Sequence, residues 1–358
     1  MQHFAFASDE GYFPGLLTAA TSLALACDAT TPTTIHVLDG GISPESWRVL
    51  ETQVRRCLPS ARVTRLGVAG SEIFGIQDNR GKGPMAYARL MLPRLVAAER
   101  IVYIDSDCLI LHDPAALARV DLGGRTCGAI QDPITRHLGD DYPWPRRPEF
   151  QAQKPYLNSG VLVIDCAAWK AAQISERTLA LLEREGQSCR YWDQTALNFT
   201  LEDQWCPLPS RWNFPSGRYE CDRDDPAIIH YLCLEKPWQG DPGGDAHALW
   251  RVAASEMAGL PARRLRRIAL RDQIARRAFD FLSPGLALWY STQRVLHARS
   301  EAKRHAAIWA RDYWLLRHAS QSRRESHRTI LAQSLAARQA GWRLELARRK
   351  PGASANSP

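Results

Sequence analysis

The stretch Ile101-Val102-Tyr103-Ile104-Asp105-Ser106-Asp107-Cys108-Leu109 joins a short apolar run to two aspartates separated by one residue. Four successive β-formers predict a strand buried on both faces, as in a parallel or mixed sheet. If the extended geometry continues, Asp105 and Asp107 fall on one side and Ser106 on the other. Two carboxylates that close repel each other unless a cation sits with them. Oxygen ligands suit a hard ion such as Mg²⁺ or Mn²⁺. The plain alternative is a solvated turn with helix-capping aspartates, and a D-x-D triplet alone does not choose between the two. Its place at the carboxyl end of a buried strand favours a site, because ligands of open α/β sheets collect there.

Outward from this segment, the first 240 residues alternate apolar runs with helical patterns. Strand-like runs are His3–Ala7, Thr34–Leu38, Arg62–Leu66, Ile101–Ile104, Cys127–Gln131, Gly160–Ile164 and Ala227–Tyr231. Helices are expected near Pro14–Cys27, Pro44–Arg56, Pro84–Ala98 and Ala167–Glu185, three of them with proline near the start, where its missing N–H costs nothing. The pattern predicts an α/β fold whose sheet is covered on both faces. Gly240–Asp245 is a turn-rich break, after which strand signals vanish. Residues 1–245 therefore read as one domain, 246–350 as a basic helical region rich in Arg and Trp, and 351–358 as a frayed end.

Hydrophobic residues make up 45% and charged residues 23%, close to globular averages, which excludes wholesale disorder. No window approaches the roughly 20 consecutive apolar residues of a spanning helix, and the first residues lack a secretory pattern. The nine cysteines include no C-x-x-C pair, so zinc ribbons and thioredoxin-type chemistry have no support. Buried thiols in a reducing cytosol account for them.

The net charge of +8 is unevenly spread. Residues 1–250 carry 24 Lys and Arg against 31 Asp and Glu, whereas residues 251–350 carry 22 against 7. A mildly acidic body with a strongly basic tail predicts an anionic partner for the tail. Arginines interleaved with Trp289, Tyr290, Trp309 and Trp314 suit a helix lying on an anionic membrane surface. A helical bundle with a solvated arginine face is the plainer reading. Nucleic acid is not expected as a partner, because the tail has charge but no zinc-finger or RNP-type motif.

Four further segments bear on chemistry. Asn158-Ser159-Gly160 reads as a turn entering a buried strand, with an amide able to grip sugar hydroxyls. Tyr191-Trp192-Asp193-Gln194 reads as a helix start with Asp193 as N-cap. His230 ends an apolar strand and Lys236 follows six residues later, which suits a metal–diphosphate site as well as an ordinary structural histidine. Asp132, just after the Cys127–Gln131 strand, reads as a turn residue; facing an acceptor is the other reading.

Taken together and in order, these motifs resemble the retaining glycosyltransferases of family 8, which include glycogenin-like enzymes and bacterial lipopolysaccharide galactosyl- and glucosyltransferases. The resemblance covers about Phe4 to Trp238. It rests on Phe6-Ala7-Ser8-Asp9, His36-Val37-Leu38-Asp39, Tyr87-Ala88-Arg89-Leu90, Tyr103-Ile104-Asp105-Ser106-Asp107, Asn158-Ser159-Gly160, Asp193-Gln194 and His230-Tyr231 with Lys236-Pro237-Trp238. It implies a GT-A type, Rossmann-like mixed sheet and transfer of a hexose, glucose or galactose, from a UDP-sugar to a glycan or lipid-linked acceptor. It further implies Mn²⁺ or Mg²⁺ on Asp105, Asp107 and His230. Sugar-donor contacts would come from Ala7, Asp9, Arg89, Ser106, Asn158, Ser159 and Lys236, with Asp193 and Gln194 at the reacting sugar. Related bacterial enzymes with basic aromatic C-terminal helices imply a cytoplasmic protein, peripheral at the inner face of the membrane.

Three positions depart from the family pattern: Cys233 where many relatives have glycine, Thr195 where an acidic residue is usual, and Asp9-Glu10-Gly11 near the start. Two other functions compete. A haloacid dehalogenase-like phosphatase also uses D-x-D, but on its first strand and with Thr or Val where this chain has Leu109. A catalytically inactive, membrane-bound scaffold is the second, opposed by the intact Asp105, Asp107, His230 and Lys236.

Overall fold

In the computed structural model, residues 1–76, 83–141, 151–216, 226–232, 236–239 and 245–260 are described. The expected basic region beyond 260, the tail 351–358 and Cys233 lie outside them.

The first half of the chain builds a parallel sheet. Strands β1 (Gln2–Ser8), β2 (Thr33–Asp39), β3 (Arg62–Gly67) and β4 (Arg100–Ile104) lie in the spatial order β3-β2-β1-β4. Helices α1 (Phe13–Ala26) and α2 (Pro44–Cys57) cross between them. In α2, Ser43 accepts from the Ser46 N–H at 3.1 Å, Glu45 stands in the first turn and Arg55 and Arg56 in the last, all favourable to the helix dipole. Its buried residues Leu50, Val54 and Cys57 share one stripe. In contrast, α1 is buried nearly all round and fills the space over the sheet.

The second half makes the sheet mixed. After β4 the chain forms β5 (Cys108–Ile110), the short α3 (Leu92–Leu95) having preceded β4 and α4 (Ala115–Ala118) following β5. Strands β6 (Cys127–Gln131) and β7 (Leu157–Asp165) extend the sheet, β7 pairing antiparallel with β4 and β6, and β8 (Trp205–Pro207) closes the edge. A second sheet has the order β5-β10-β9, with β9 at Phe214–Pro215 and β10 at Ile228–His230. Alternation along the strands feeds two cores. Phe4, Phe6, Val102 and Ile104 pack on the α1 side; Ala5, Ile101, Tyr103 and Leu162 pack on the other. The expected double-faced burial is thus observed.

Several local expectations change. The helix expected at Pro84–Ala98 is a 3₁₀ segment, Pro84–Met91, followed by one turn of α3, because Pro93 has no N–H to continue an α-helical ladder. The helix expected at Ala167–Glu185 is two, α5 (Cys166–Ala171) and α6 (Ile174–Glu185), parted at Gln173 with φ 51°. Asn158-Ser159-Gly160 is not a turn before the strand: it lies inside β7, where Asn158 opposes Ile130 beyond a register shift in β6. Helix α7 runs Asp193–Leu201 with Trp192 at the N-cap position, so Asp193 is its first residue and not its cap. Among the described residues the last α-helix, α8, is Asp245–Val252. No helix among the described residues is long and apolar enough to cross a membrane. The seven described cysteines are free thiols, six of them buried.

Candidate active site

The switch in strand order between β1 and β4 opens a crevice at their carboxyl ends, and the two aspartates stand there. They do not continue the strand as expected. Asp105 to Asp107 form a tight turn, with the Cys108 N–H donating to the Asp105 carbonyl at 3.1 Å. Ser106 turns inward and its hydroxyl donates to the Ala7 carbonyl at 2.7 Å, tying β4 to β1. The turn peels β5 away into the second sheet, where Cys108 opposes His230 of β10. That pairing carries an imidazole from more than a hundred residues downstream onto the two carboxylates.

Each carboxylate then has one oxygen spoken for and one turned toward the imidazole. Asp105 Oδ1 accepts from Tyr103 OH at 2.7 Å and pairs with Arg89 at 2.9 Å, while Oδ2 lies 3.8 Å from His230 Nε2. Asp107 Oδ2 pairs with Lys236 Nζ at 2.5 Å, while Oδ1 lies 3.2 Å from the same Nε2. Burial alone would raise the Asp107 carboxyl, yet the charges of Lys236 and His230 hold it well below the usual carboxylate range. Lys236 is also buried, donates to the Tyr231 carbonyl at 3.0 Å, and is kept charged chiefly by Asp107.

Asp105 Oδ2 and Asp107 Oδ1 both lie within 4 Å of His230 Nε2, and these donor types fit a hard or borderline divalent ion. Among the described residues, the ligand-type atoms that all lie within 4.8 Å of one another belong to Asp107, Cys108 and His230, without Asp105. Burial pushes the Cys108 thiol well up, so it stays protonated and offers a poor ligand. Asp105, one-fifth exposed, is the better third donor for an ion approached from solvent.

Behind the carboxylates stands Arg89, held at the end of the 3₁₀ segment and stacked 4.5 Å over Tyr103. It pairs with Asp105 and lies 3.1 Å from Asp193 Oδ2, and it donates to the Ser159 carbonyl. Burial opposes its charge, but Asp105 and Asp193 outweigh that and shift the guanidinium upward. Burial pushes the Asp193 carboxyl up to about 6 against the pull of Arg89. Gln194 Oε1 accepts from the Ser159 N–H at 3.0 Å, and its Nε2 donates to Asp132 Oδ2 at 3.1 Å. Asp105, Asp107, Arg89, Ser159, Asp193, Gln194, Asn158, His230 and Lys236 are thus one connected cluster. Asp9 stands apart from it: its Oδ1 accepts from the Tyr12 N–H at 3.0 Å ahead of α1. Ala7 takes part through its carbonyl alone.

Asn213 and Tyr12 escape a sequence reading, and Asp132 does more than its turn predicts. Asp132 makes the expected turn, with Oδ1 accepting from the Ile134 and Thr135 N–H groups, but it is buried and its Oδ2 also binds Asn158 and Gln194. Asn213, ahead of β9, accepts from His230 Nδ1 at 2.8 Å, and no local pattern singles it out. Tyr12 stacks edge-on against Trp238 at 5.2 Å, beside Lys236. Two departures from the family pattern acquire structural roles. Thr195 is buried and accepts from the Tyr191 N–H at 2.8 Å. Glu10 accepts from Ser43 N and Ser46 Oγ at the start of α2.

Comparison with known proteins agrees with this geometry. Glycosyl transferase family 8 matches residues 3–241. Glycosyltransferase GlyF of Streptococcus pneumoniae is 27% identical over 230 residues, 61% of this chain and 53% of that protein, so the chain spans about half of that relative's length. Lipopolysaccharide 1,2-glucosyltransferase of Escherichia coli is 25% identical over 172 residues, 42% of this chain and 48% of that protein. Among solved structures, the galactosyltransferase LgtC in complex with sugar-donor and acceptor analogues superposes with a TM-score of 0.63 at 25% identity, covering 73% of this chain and 98% of that one. The mixed seven-stranded sheet is that of the GT-A type, and the phosphatase alternative falls with it. By the match along two thirds of its length, and by the ordered residues that meet at the end of β4, this chain belongs to glycosyl transferase family 8.

Proposed function

We propose that the chain is a retaining hexosyltransferase that moves glucose or galactose from a UDP-sugar to a glycan or lipid-linked acceptor, such as lipopolysaccharide. The observation that carries this reading is the approach of both Asp105 Oδ2 and Asp107 Oδ1 to His230 Nε2, with Lys236 paired to Asp107 and Arg89 to Asp105. Asp105, Asp107 and His230 would hold Mn²⁺ or Mg²⁺, which would supply positive charge to the departing diphosphate. Lys236, already charged and desolvated, adds a second positive charge on the same side, which stabilises a phosphate leaving group without a protein acid. Ala7 and Asp9 face the uridine; Asn158, Ser159 and Gln194 bind the hexose hydroxyls. Ser106 fixes the crevice by its bond to β1.

Retention follows from a same-face substitution guided by the leaving phosphate. The buried Asp193 carboxylate supports that choice over a double displacement, because the Arg89 charge 3.1 Å away stabilises it and weakens it as a nucleophile. A glycosyl adduct on Asp193, seen by mass spectrometry, would reverse it. The basic region beyond residue 260 is assigned to an anionic membrane surface, which places the enzyme at the inner face of the membrane.

A panel of UDP-sugars, scored by UDP release with Mn²⁺ and again with a chelator, tests the reaction. UDP-hexose turnover is expected only with metal, and Asp105→Asn is expected to abolish it while leaving the melting temperature near that of wild type. Asparagine keeps an acceptor for Tyr103 OH. Equal turnover in the wild type and the variant would overturn the metal-site assignment, and none with any UDP-hexose would leave the inactive scaffold as the better account.

A further inference from the structure

Behind His230 three polar side chains stand in line, and their polarity is fixed by groups that have no choice. A backbone N–H can only donate, and that of Gly160 donates to Asn158 Oδ1 at 3.0 Å. Asn158 Nδ2 must then face the other way, where it donates to Asp132 Oδ2 at 2.8 Å. The same Asn158 Oδ1 accepts from Asn213 Nδ2 at 2.8 Å, so Asn213 turns its own Oδ1 to His230 Nδ1, 2.8 Å away. A carbonyl oxygen has no hydrogen to give, so the imidazole proton sits on Nδ1. Asp132, Asn158, Asn213 and His230 are all buried. Gln194 is oriented by the same logic: the Ser159 N–H fixes its Oε1, and Asp132 Oδ2 receives its Nε2.

This polarity is not what the imidazole's nearest neighbours would choose. With carboxylate oxygens 3.2 and 3.8 Å from Nε2, a histidine left to itself would place its proton there and donate to Asp107. A purely structural histidine would need no more. The line of amides works in the opposite sense: it keeps a proton on Nδ1 and so leaves Nε2 as the nitrogen that can offer a lone pair to a cation between the two carboxylates.

We propose that Asp132 is a positioning residue: acting through Asn158 and Asn213, it holds the His230 proton on Nδ1 and frees Nε2 to bind the ion, while the same carboxylate orients Gln194 at the sugar. Asp132 closes the line in the same sense as the Gly160 N–H, because its four contacts are all N–H donors and it accepts every one. The proposed metal and sugar subsites are thereby linked through one carboxylate. The proposal rests on the metal reading above, yet its test is read in the metal-free protein, so the two can fail separately.

The informative variant is Asp132→Asn. Asparagine preserves the turn, because its Oδ1 still accepts from Ile134 and Thr135, but its amide then faces two other amide donors. Long-range ¹⁵N–¹H correlation spectra of the full chain, in mildly alkaline metal-free buffer, report which ring nitrogen of His230 is protonated. Wild type is expected to show a protonated Nδ1. Asp132→Asn and Asn213→Ala are expected to lose that signature and to weaken Mn²⁺ binding, followed by electron paramagnetic resonance, by about tenfold or more. Asp121→Asn, an exposed turn carboxylate that binds only the Gly123 N–H, controls for loss of charge and should change neither signal. An unprotonated Nδ1 in wild type, or a His230 spectrum untouched by Asp132→Asn, overturns the proposal. A protonated Nδ1 in a protein that does not bind Mn²⁺ would instead overturn the metal reading and leave the relay standing.

Discussion

At the scale of single residues, the site is a set of buried charges that neutralise one another in pairs, so the expected defects are geometric as much as electrostatic. Arg89 pairs with Asp105, donates to the Ser159 carbonyl and lies 3.1 Å from Asp193, using a planar fork that lysine lacks. Arg89→Lys should therefore keep the charge and still lower kcat by about 10²-fold, as expected when a reacting geometry is misplaced by about an ångström. Steady-state kinetics measure it, and a kcat unchanged with KM alone raised would refute it. Asp141 gives a separate test away from the ion cluster. Its carboxyl is buried, accepts from Tyr156 OH at 2.6 Å, and is pushed up to about 6 by burial. Because the folded value exceeds the unfolded 3.8, the native state binds the extra proton, and stability falls as pH rises from about 4 to about 6. Asp141→Asn should then melt higher than wild type above about pH 6, by on the order of 1–3 kcal/mol, and match it below about pH 4. Melting curves across that range are the check; a gap independent of pH would contradict the assignment.

At the scale of elements, the decisive event is the departure of β5 from the main sheet to pair with β10. The turn at Asp105 to Asp107 allows it, and the Ser22 hydroxyl of α1 receives the Ile110 N–H at 3.1 Å to hold β5 in place. Gly160, inside β7, completes the fit: a Cβ there would overlap the edge of the His230 ring. Gly160→Ala is thus expected to displace the imidazole, to cost about 1–3 kcal/mol of stability from overpacking, and to weaken Mn²⁺ binding in parallel. Thermal melts and metal titration together read this outcome. An alanine variant with wild-type melting and metal affinity would show that the ring has room the structure does not give it.

At the scale of the whole molecule, charge is divided between a mildly acidic first 250 residues and a segment, 251–350, with an excess of fifteen positive charges. If that segment binds a membrane surface, the full chain should pellet with phosphatidylglycerol vesicles at about 0.1 M salt and come off near 1 M, where the screening length falls from about 10 to about 3 Å. It should ignore vesicles of phosphatidylcholine alone. Binding that is equal on both lipids, or insensitive to salt, would favour a helical bundle packed on the enzyme.

The chain's own order of residues determined the α/β class, because strands buried on both faces must be apolar throughout, and it pointed to Asp105, Asp107, His230 and Lys236, because polar groups at strand ends interrupt those runs. Period and composition also located α1 and α2. What they did not determine was how those residues meet. The turn that bends Asp107 toward Lys236, the break of the Ala167–Glu185 helix at Gln173, and the absorption of Asn158-Ser159-Gly160 into β7 each depend on partners distant in sequence. Asn213 and the second role of Asp132 were invisible for the same reason: a hydrogen bond has direction only once both ends are in place, and every end here is brought together by sheet pairing rather than by neighbouring residues.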